Sequence, residues 1–291
     1  MTVDDLRGAV ETDIRRNWSD AAWCRWLDAA AVLRDQSFRN IVLIKLQMPG
    51  AEWVDGRQGW QRRGRRIARG ASGIRIIAPA PERECSAGPV QGHGVATVWD
   101  VSQTDGRPLQ LTTGRQAQDV FAALEQVAIA GGYRVDRGRL VSDSGGAETL
   151  HRGRRIVVAD DLDVPMATMA LAHELAHHRM HKRSRESSCH GIARLEASSV
   201  AFMLASRLGC LPDQPTTDLI ATTAGIVGRT PPVRQVETLG GRVVAAANRL
   251  YDAVDRYLSP PQMRPGAPAV AFPELATHSP GAEVAERGLE P

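Results

Sequence analysis

Leu171-Ala172-His173-Glu174-Leu175-Ala176-His177-His178 is the stretch on which the reading of this chain turns. At 3.6 residues per turn, positions i and i+4 share one helix face, so His173 and His177 can reach a common metal ion. Glu174 lies about 100° round the helix from His173, beside such an ion but not required as its ligand. That is the residue set of a zinc hydrolase: two neutral nitrogens for Zn²⁺, a position left for water, and a carboxylate to take a proton. A five-residue pattern also arises by chance in exposed polar helices, so its surroundings decide. Arg154 to Ala159 reads as a short strand with a β-branched centre. Asp161 or Asp163 can then cap a helix that carries Pro165 in its first turn. Met166 to Met180 is helical by composition, with Leu171 and Leu175 forming a second contact line one turn apart.

A third ligand sets the subclass. A metzincin-type extension would need Gly at 180 and His at 183, where this chain has Met180 and Arg183. A gluzincin-like site takes a Glu from the following helix. Gly191 to Leu208 is such a helix, with Val200, Met203, Leu204 and Leu208 at helical spacing and Glu196 its lone carboxylate. Glu196 suits a ligand; a carboxylate near a helix start also favours the helix dipole. Glu186, in the polar segment 182–188, is the alternative ligand. His178, His181 and His190 read as solvated histidines or as donors to the ligands.

With 291 residues the chain can bury a sizeable core, and a net charge of +3 with 43% hydrophobic residues is ordinary for a soluble globule. Cationic character comes almost wholly from Arg, with Lys only at 45 and 182. Cys24, Cys85, Cys189 and Cys210 are scattered without a CxxC pair, as suits a reducing compartment. The opening Met1 to Asp13 is polar and acidic rather than a leader, and no apolar run reaches the roughly 18 residues of a membrane span. A soluble cytoplasmic protein without a membrane partner is expected.

Residues 17–35 read as an amphipathic helix, with Trp23, Trp26, Leu27, Ala30 and Leu33 on one stripe and Ser19 or Asp20 as its cap. Aromatic residues at that spacing belong in a core more often than on a base-stacking surface. Ile41 to Leu46 is a second apolar run. Strands are expected at Ile74 to Ala78 and Ala96 to Val101, separated by an exposed loop from Pro81 to Gly94. Val120 to Ala130 is helical and stops at Gly131-Gly132; Val243 to Leu258 is a last helix. A composition shift puts a boundary between 105 and 118. Ser259 to Pro291 holds seven of the seventeen prolines and reads as disordered.

Between residues 57 and 75 lie seven arginines (Arg57, Arg62, Arg63, Arg65, Arg66, Arg69, Arg75) and no acidic residue, with Trp60 among them and glycines breaking the run. Guanidinium groups can track phosphates while an indole stacks on a base, which suits single-stranded nucleic acid. A solvated basic loop with Trp60 buried beneath it gives the same pattern.

Read in order, Asn40-Ile41-Val42-Leu43-Ile44, Gln47, Pro49, Trp60, Gly64-Arg65, Arg69-Gly70, Gly73-Ile74 and Ile76-Ile77-Ala78-Pro79 resemble the single-stranded-DNA-binding domain of ArdC-type antirestriction proteins. Val98 to Thr104 resembles the segment closing that domain. Those proteins typically continue into a zincin-like peptidase domain, as this chain does at His173. Glu196, Ser199 and Phe202 are similar to the third-ligand helix of the related ImmA/IrrE metallopeptidases. The resemblance covers most of residues 17–210. It departs at Arg69, where Lys is usual, at Ala71, where an acidic residue is common, and at Ser198, where some relatives carry a second Glu.

The resemblance implies an α+β architecture: a small α+β single-stranded-DNA-binding domain over 1–110, a mostly helical zincin-like metallopeptidase domain over 111–258, and the disordered Pro-rich tail 259–291. It implies a plasmid- or phage-encoded protein that coats incoming DNA and shields it from restriction, with double-stranded DNA as a further partner. A DNA mimic would need a strongly acidic surface, which +3 excludes. In the peptidase half, Zn²⁺ would sit on His173, His177 and Glu196, Glu174 would serve as general base, and the strand Arg155 to Ala159 could bind an extended peptide along its edge. The alternative is a regulatory metallopeptidase of the ImmA/IrrE kind that cleaves a repressor protein.

Overall fold

Thr2 opens the fold. Its hydroxyl accepts from the Asp5 N–H (3.1 Å) while the Asp5 carboxylate accepts from the Thr2 N–H (2.6 Å), a reciprocal cap that starts helix α1 (Val3–Asn17). A computed structural model describes residues 1–80, 92–109, 115–141, 146–181, 189, 191–212 and 233–258, together with the backbone of strands 83–85 and 88–90. The expected tail 259–291, Glu186 and His190 fall outside the described residues. Helix α1 was not expected. It buries a stripe only one residue wide, Leu6, Val10 and Ile14, inside a polar, acidic stretch.

Helix α2 (Asp20–Val32) begins where Ser19 Oγ accepts from the Ala22 N–H at 3.2 Å, and it buries Trp23, Trp26, Leu27 and Ala30 as expected of core aromatics. Helix α3 (Phe38–Gln47) follows, capped by Ser37. The chain then runs through β1 (Val54–Asp55), α4 (Arg57–Arg62), β2 (Arg65–Ile67), β3 (Ile74–Pro79), the short strands β4 (Arg83–Cys85) and β5 (Gly88–Val90), β6 (His93–Asp100) and β7 (Thr104–Gly106). Strands β1, β6 and β3 form one antiparallel sheet in that order, with Ile74 opposite Val98 and Ile76 opposite Ala96. The stretch 81–94, expected as loop, contains the antiparallel β4–β5 pair.

Two amides on α3 occupy the outer edge of β3. Asn40 donates to the Ile77 carbonyl (2.9 Å) and accepts from the Ile77 N–H (3.0 Å); Gln47, two turns on, does the same at Arg75 (2.8 and 2.9 Å). A sheet edge that would otherwise expose unpaired backbone groups is thereby satisfied by side chains. Buried Asp100 closes the opposite side. It accepts from the Glu52 and Trp53 N–H groups and from Ser102, and these bonds hold its carboxyl below the usual range despite burial.

Helix α5 (Ala117–Ala130) ends at Gly131, as its sequence predicts. Strands β8 (Arg134–Gly138), β9 (Ala147–Leu150) and β10 (Arg155–Ala159) form a second sheet in the order β8-β10-β9. Strand β10 is therefore central, parallel to β8 and antiparallel to β9. This corrects the expectation of edge pairing along Arg155 to Ala159, since both ladders of that strand are taken; among the described residues β9 is an edge. Helices α6 (Val164–Met180), α7 (Gly191–Leu208) and α8 (Val233–Asp255) pack against one another beside this sheet. The last of these starts ten residues before the expected Val243.

All these elements lie in one compact unit, Met1–Leu258. Helix α2 packs on α7, and α1 and α3 pack on α8, so one hydrophobic core runs through both sides of residue 110. Trp23 Nε1 donates to Ser199 Oγ at 3.1 Å, and Arg39 forks onto both Glu237 oxygens at 2.7 and 2.8 Å. Gly240 lets α8 approach Phe38: a Cβ there would lie 2.0 Å from the ring. Among the described residues no helix is long and apolar enough to cross a membrane.

Candidate metal centre and nucleic-acid interface

Helix α6 starts at Asp163, whose carboxylate accepts from the Met166 N–H at 2.8 Å, with Pro165 in the first turn. Three turns on, His173 and His177 face the same way, and their Nε2 atoms stand 3.0 Å apart. The sulfur of Cys189 lies 3.1 Å from the first and 3.2 Å from the second. His173, His177 and Cys189 could together hold a metal ion, and no other such group exists among the described residues. Burial disfavours the imidazolium forms: His173 is pushed down to about 3 and His177 to about 4, neighbouring histidines adding to the effect. Both rings are thus kept as neutral donors. Burial also pushes the Cys189 thiol up, to about 11, so it would ionise only with a cation at hand.

Glu174 is buried, and desolvation pushes its carboxyl up to about 7; the Glu148 charge adds to this and the Thr149 hydrogen bond opposes it. Thr149 Oγ1 on β9 donates to Glu174 Oε2 at 2.6 Å and stands 3.0 Å from His178 Nε2. A carboxyl poised near neutrality next to two imidazoles suits a group that takes and returns a proton.

The structure does not bring Glu196 to the imidazole pair. Its Oε2 stands 2.8 Å from His181 Nε2 and 3.1 Å from Arg242, while Oε1 is buried without a partner among the described residues. His181 in turn stands 3.1 Å from His177, ring Nδ1 to ring Nδ1, so the carboxylate is one side chain removed from the centre. Among the described residues the third candidate ligand atom beside the imidazole pair is Cys189 Sγ. Nothing in helix periodicity marks that cysteine, which follows the segment 182–188; the available signal was a soft ligand between HExxH and the next helix.

The arginine segment separates into two classes. Trp60 is fully buried, its indole N–H donating to the Trp99 carbonyl at 2.8 Å, so it cannot stack on a base from where it sits. Arg65 is buried too, spent on Thr104 Oγ1 (2.8 Å), the Thr104 carbonyl (2.7 Å) and the Arg107 carbonyl. These two leave the expected set of DNA contacts. Arg57, Arg62, Arg63, Arg66, Arg69 and Arg75 are exposed. Arg63 pairs with Asp55 and lies over the Trp53 ring; Arg57 lies over the Trp99 ring; Arg75 donates to Thr97 Oγ1 at 2.9 Å. The aromatic surface is therefore Trp53 and Trp99, both half-buried. Strand alternation could have found the second: Val98 and Asp100 point inward, so Thr97 and Trp99 face out.

No protein-family model and no curated protein matches the chain. Solved structures that match include two crystal forms of the antirestriction protein ArdC from plasmid R388. The metal-free form gives a TM-score of 0.50 at 16% identity, over 88% of this chain and 95% of that one. The Mn(II)-bound form gives 0.52 at 14% identity, over 88% and 97%. This chain has an ArdC-like fold.

Proposed function

We propose that this chain is an antirestriction-type protein of a mobile element that binds single-stranded DNA without sequence preference and carries a divalent-metal, peptidase-like centre. The observation that carries the reading is the convergence of His173 Nε2, His177 Nε2 and Cys189 Sγ within 3.2 Å of one another beside a carboxyl poised near 7. The donor chemistry fits a divalent cation: two neutral imidazoles and a thiol that would ionise on binding. A thiolate in the set favours Zn²⁺ over the harder Mn²⁺. A cation held there supplies Lewis-acid activation of water and of a peptide carbonyl. Glu174 takes a proton from water and returns it to the leaving amine nitrogen, while Thr149 fixes the carboxylate's orientation by its 2.6 Å hydrogen bond. An extended peptide could add to the β9 edge, which carries Thr149. DNA would run over Trp53 and Trp99, with Arg57, Arg62, Arg63, Arg66, Arg69 and Arg75 on its phosphates.

The test pairs metal analysis with binding of single- and double-stranded oligonucleotides across a salt series. Stoichiometric metal lost in His177→Ala, with single-strand affinity falling steeply in salt, is expected; absence of both sinks the reading. In cells, Glu174→Gln and a double Arg66→Ala/Arg69→Ala variant separate the two functions. Loss of activity with the first alone would favour a repressor-cleaving peptidase of the ImmA/IrrE kind.

A further inference from the structure

We propose that the open cavity between the last turn of α6 and one face of α8 binds phosphoryl groups, held by Arg179, Arg242 and Arg249. The site rests on neither the metal centre nor the Trp53 and Trp99 surface. Its volume is about 430 Å³. Thr238, Gly241, Arg242 and Arg249 bound it from α8, where steps of three and four residues put them on one helix face. Arg179 and Met180 bound it from α6. A guanidinium presents a planar fork of donors that matches phosphate oxygens. The carboxylates nearby are already engaged. Glu237 accepts both arms of Arg39, at 2.7 and 2.8 Å. Glu196 is 1% exposed and meets one nitrogen of Arg242 at 3.1 Å, which leaves that guanidinium further N–H groups to donate. Asp252 acts on Arg207 of α7. Neither Arg179 nor Arg249 has an ion pair among the described residues, and Arg256 adds a further like charge beside Arg179. Cations gathered in this way repel one another, and an anion placed between them turns that repulsion into attraction.

Gly241 is an independent observation in favour of a ligand. Its neighbour Gly240 is required by the Phe38 ring, but a Cβ on Gly241 would meet nothing within 4 Å. Glycine inside a helix is less stable than alanine, so packing supplies no reason for this one. A bare stretch of cavity wall, over which a ligand can approach the α8 backbone, does supply a reason. Complementing the C-terminal dipole of α6 would account for Arg179 alone. It leaves the two arginines and the glycine on the facing helix unexplained.

Two probes on the full chain test the site and separate the sources of the phosphate: thymidine 5′-diphosphate by calorimetry, and an oligothymidylate across a salt series. If a free nucleotide is the ligand, Arg179→Gln/Arg249→Gln should weaken its binding by about 10- to 100-fold, the value of lost charge-assisted hydrogen bonds. If a strand is the ligand, the same variant should lower the slope of log affinity against log salt by about 0.7 for each phosphate contact removed. Gly241→Phe keeps every charge and fills the cavity, so it should weaken the same probe by a similar factor. Gly241→Ala adds one methyl group to open space and should bind within a few-fold of native. Gly241 is exposed, so the urea midpoint of either glycine variant should be no lower than native. Weak binding in the arginine variant with native binding in Gly241→Phe would mean diffuse charge rather than a cavity, and would overturn the proposal. Native-like binding of both probes by all variants, or no binding of either probe by the native chain, would overturn it equally. Trp99→Ala should leave nucleotide binding unchanged, so a failure of the proposed DNA surface does not count against this site.

Discussion

The metal centre and the arginine segment were both conspicuous in the sequence, and they fared differently as guides to structure. His173 and His177 came together because an i, i+4 pair on a helix has only one way to point. Residues 57–75 have no such period; the chain bends through α4 and β2 into β3, and each bend decides afresh which side chain is buried. Arg65 and Trp60 went inside while Arg62, Arg63 and Arg66, their near neighbours, stayed out. Spacing within one element is a geometric statement, whereas composition within a loop states only what is present.

The largest expected effects fall on the centre. His173→Ala or His177→Ala should remove stoichiometric metal. Glu174→Gln should keep the metal and lower peptide hydrolysis by about 10²- to 10⁴-fold, the range for a lost general base. If Glu174→Gln loses the metal as well, that side chain is a ligand, and the distinction drawn here between holding a cation and moving a proton fails.

The arginine segment can be broken in two ways. Trp60→Ala empties a fully buried site and should cost about 3–5 kcal/mol of stability in urea unfolding. Trp99→Ala should cost far less stability but about 1–3 kcal/mol of single-strand binding, the value of one stacked base. A smaller effect separates the arginines. Removing a phosphate contact such as Arg66 or Arg69 should reduce the slope of log affinity against log salt by about 0.7 on single strands. Arg65→Gln should leave that slope alone and show in the unfolding midpoint instead, because its guanidinium is spent on Thr104 and Arg107. A reversed ranking of Trp60 and Trp99 in DNA binding would mean that the exposed face is not the interface.

Much of the fold was legible for the same reason as the metal pair: α2, α5, α6 and α7 follow apolar periodicity, and Ser19, Asp163 and Gly131 cap or stop helices as their chemistry predicts, whereas α3 showed only as an unbroken apolar run. What escaped depends on distant partners. Strand β10 is visible as a strand, but its central place depends on β9 folding back along it. Glu196 was placed correctly on a helix facing α6, yet its neighbour is decided by His181, which interposes. Cys189 sits beyond any helix period, and its position depends on how the chain returns from α6 to α7. Asn40 and Gln47 could be read as shared with ArdC-type proteins; their bonds to the edge of β3 give the physical reason for them.

The smallest expected effect is on the pH dependence of stability without metal. His173 and His177 fall from 6.5 to about 3 and about 4 on folding, so the unfolded chain binds more protons there. Their contribution is complete above pH 6.5 and is lost as pH falls towards those values. Glu174 moves the other way, from 4.5 to about 7, so its contribution is complete below pH 4.5 and is lost as pH rises through 7. Between pH 4.5 and 6.5 two imidazoles oppose one carboxyl, and stability of the metal-free chain should rise with pH; from there to about 7 the carboxyl acts alone and the trend should reverse. Glu174→Gln removes the opposing group, so its urea midpoint should climb more steeply below pH 6.5 and lose the reversal. Identical profiles for the two proteins would show that Glu174 is not the poised group, and added Zn²⁺ should stabilise less as acid competes for the imidazoles.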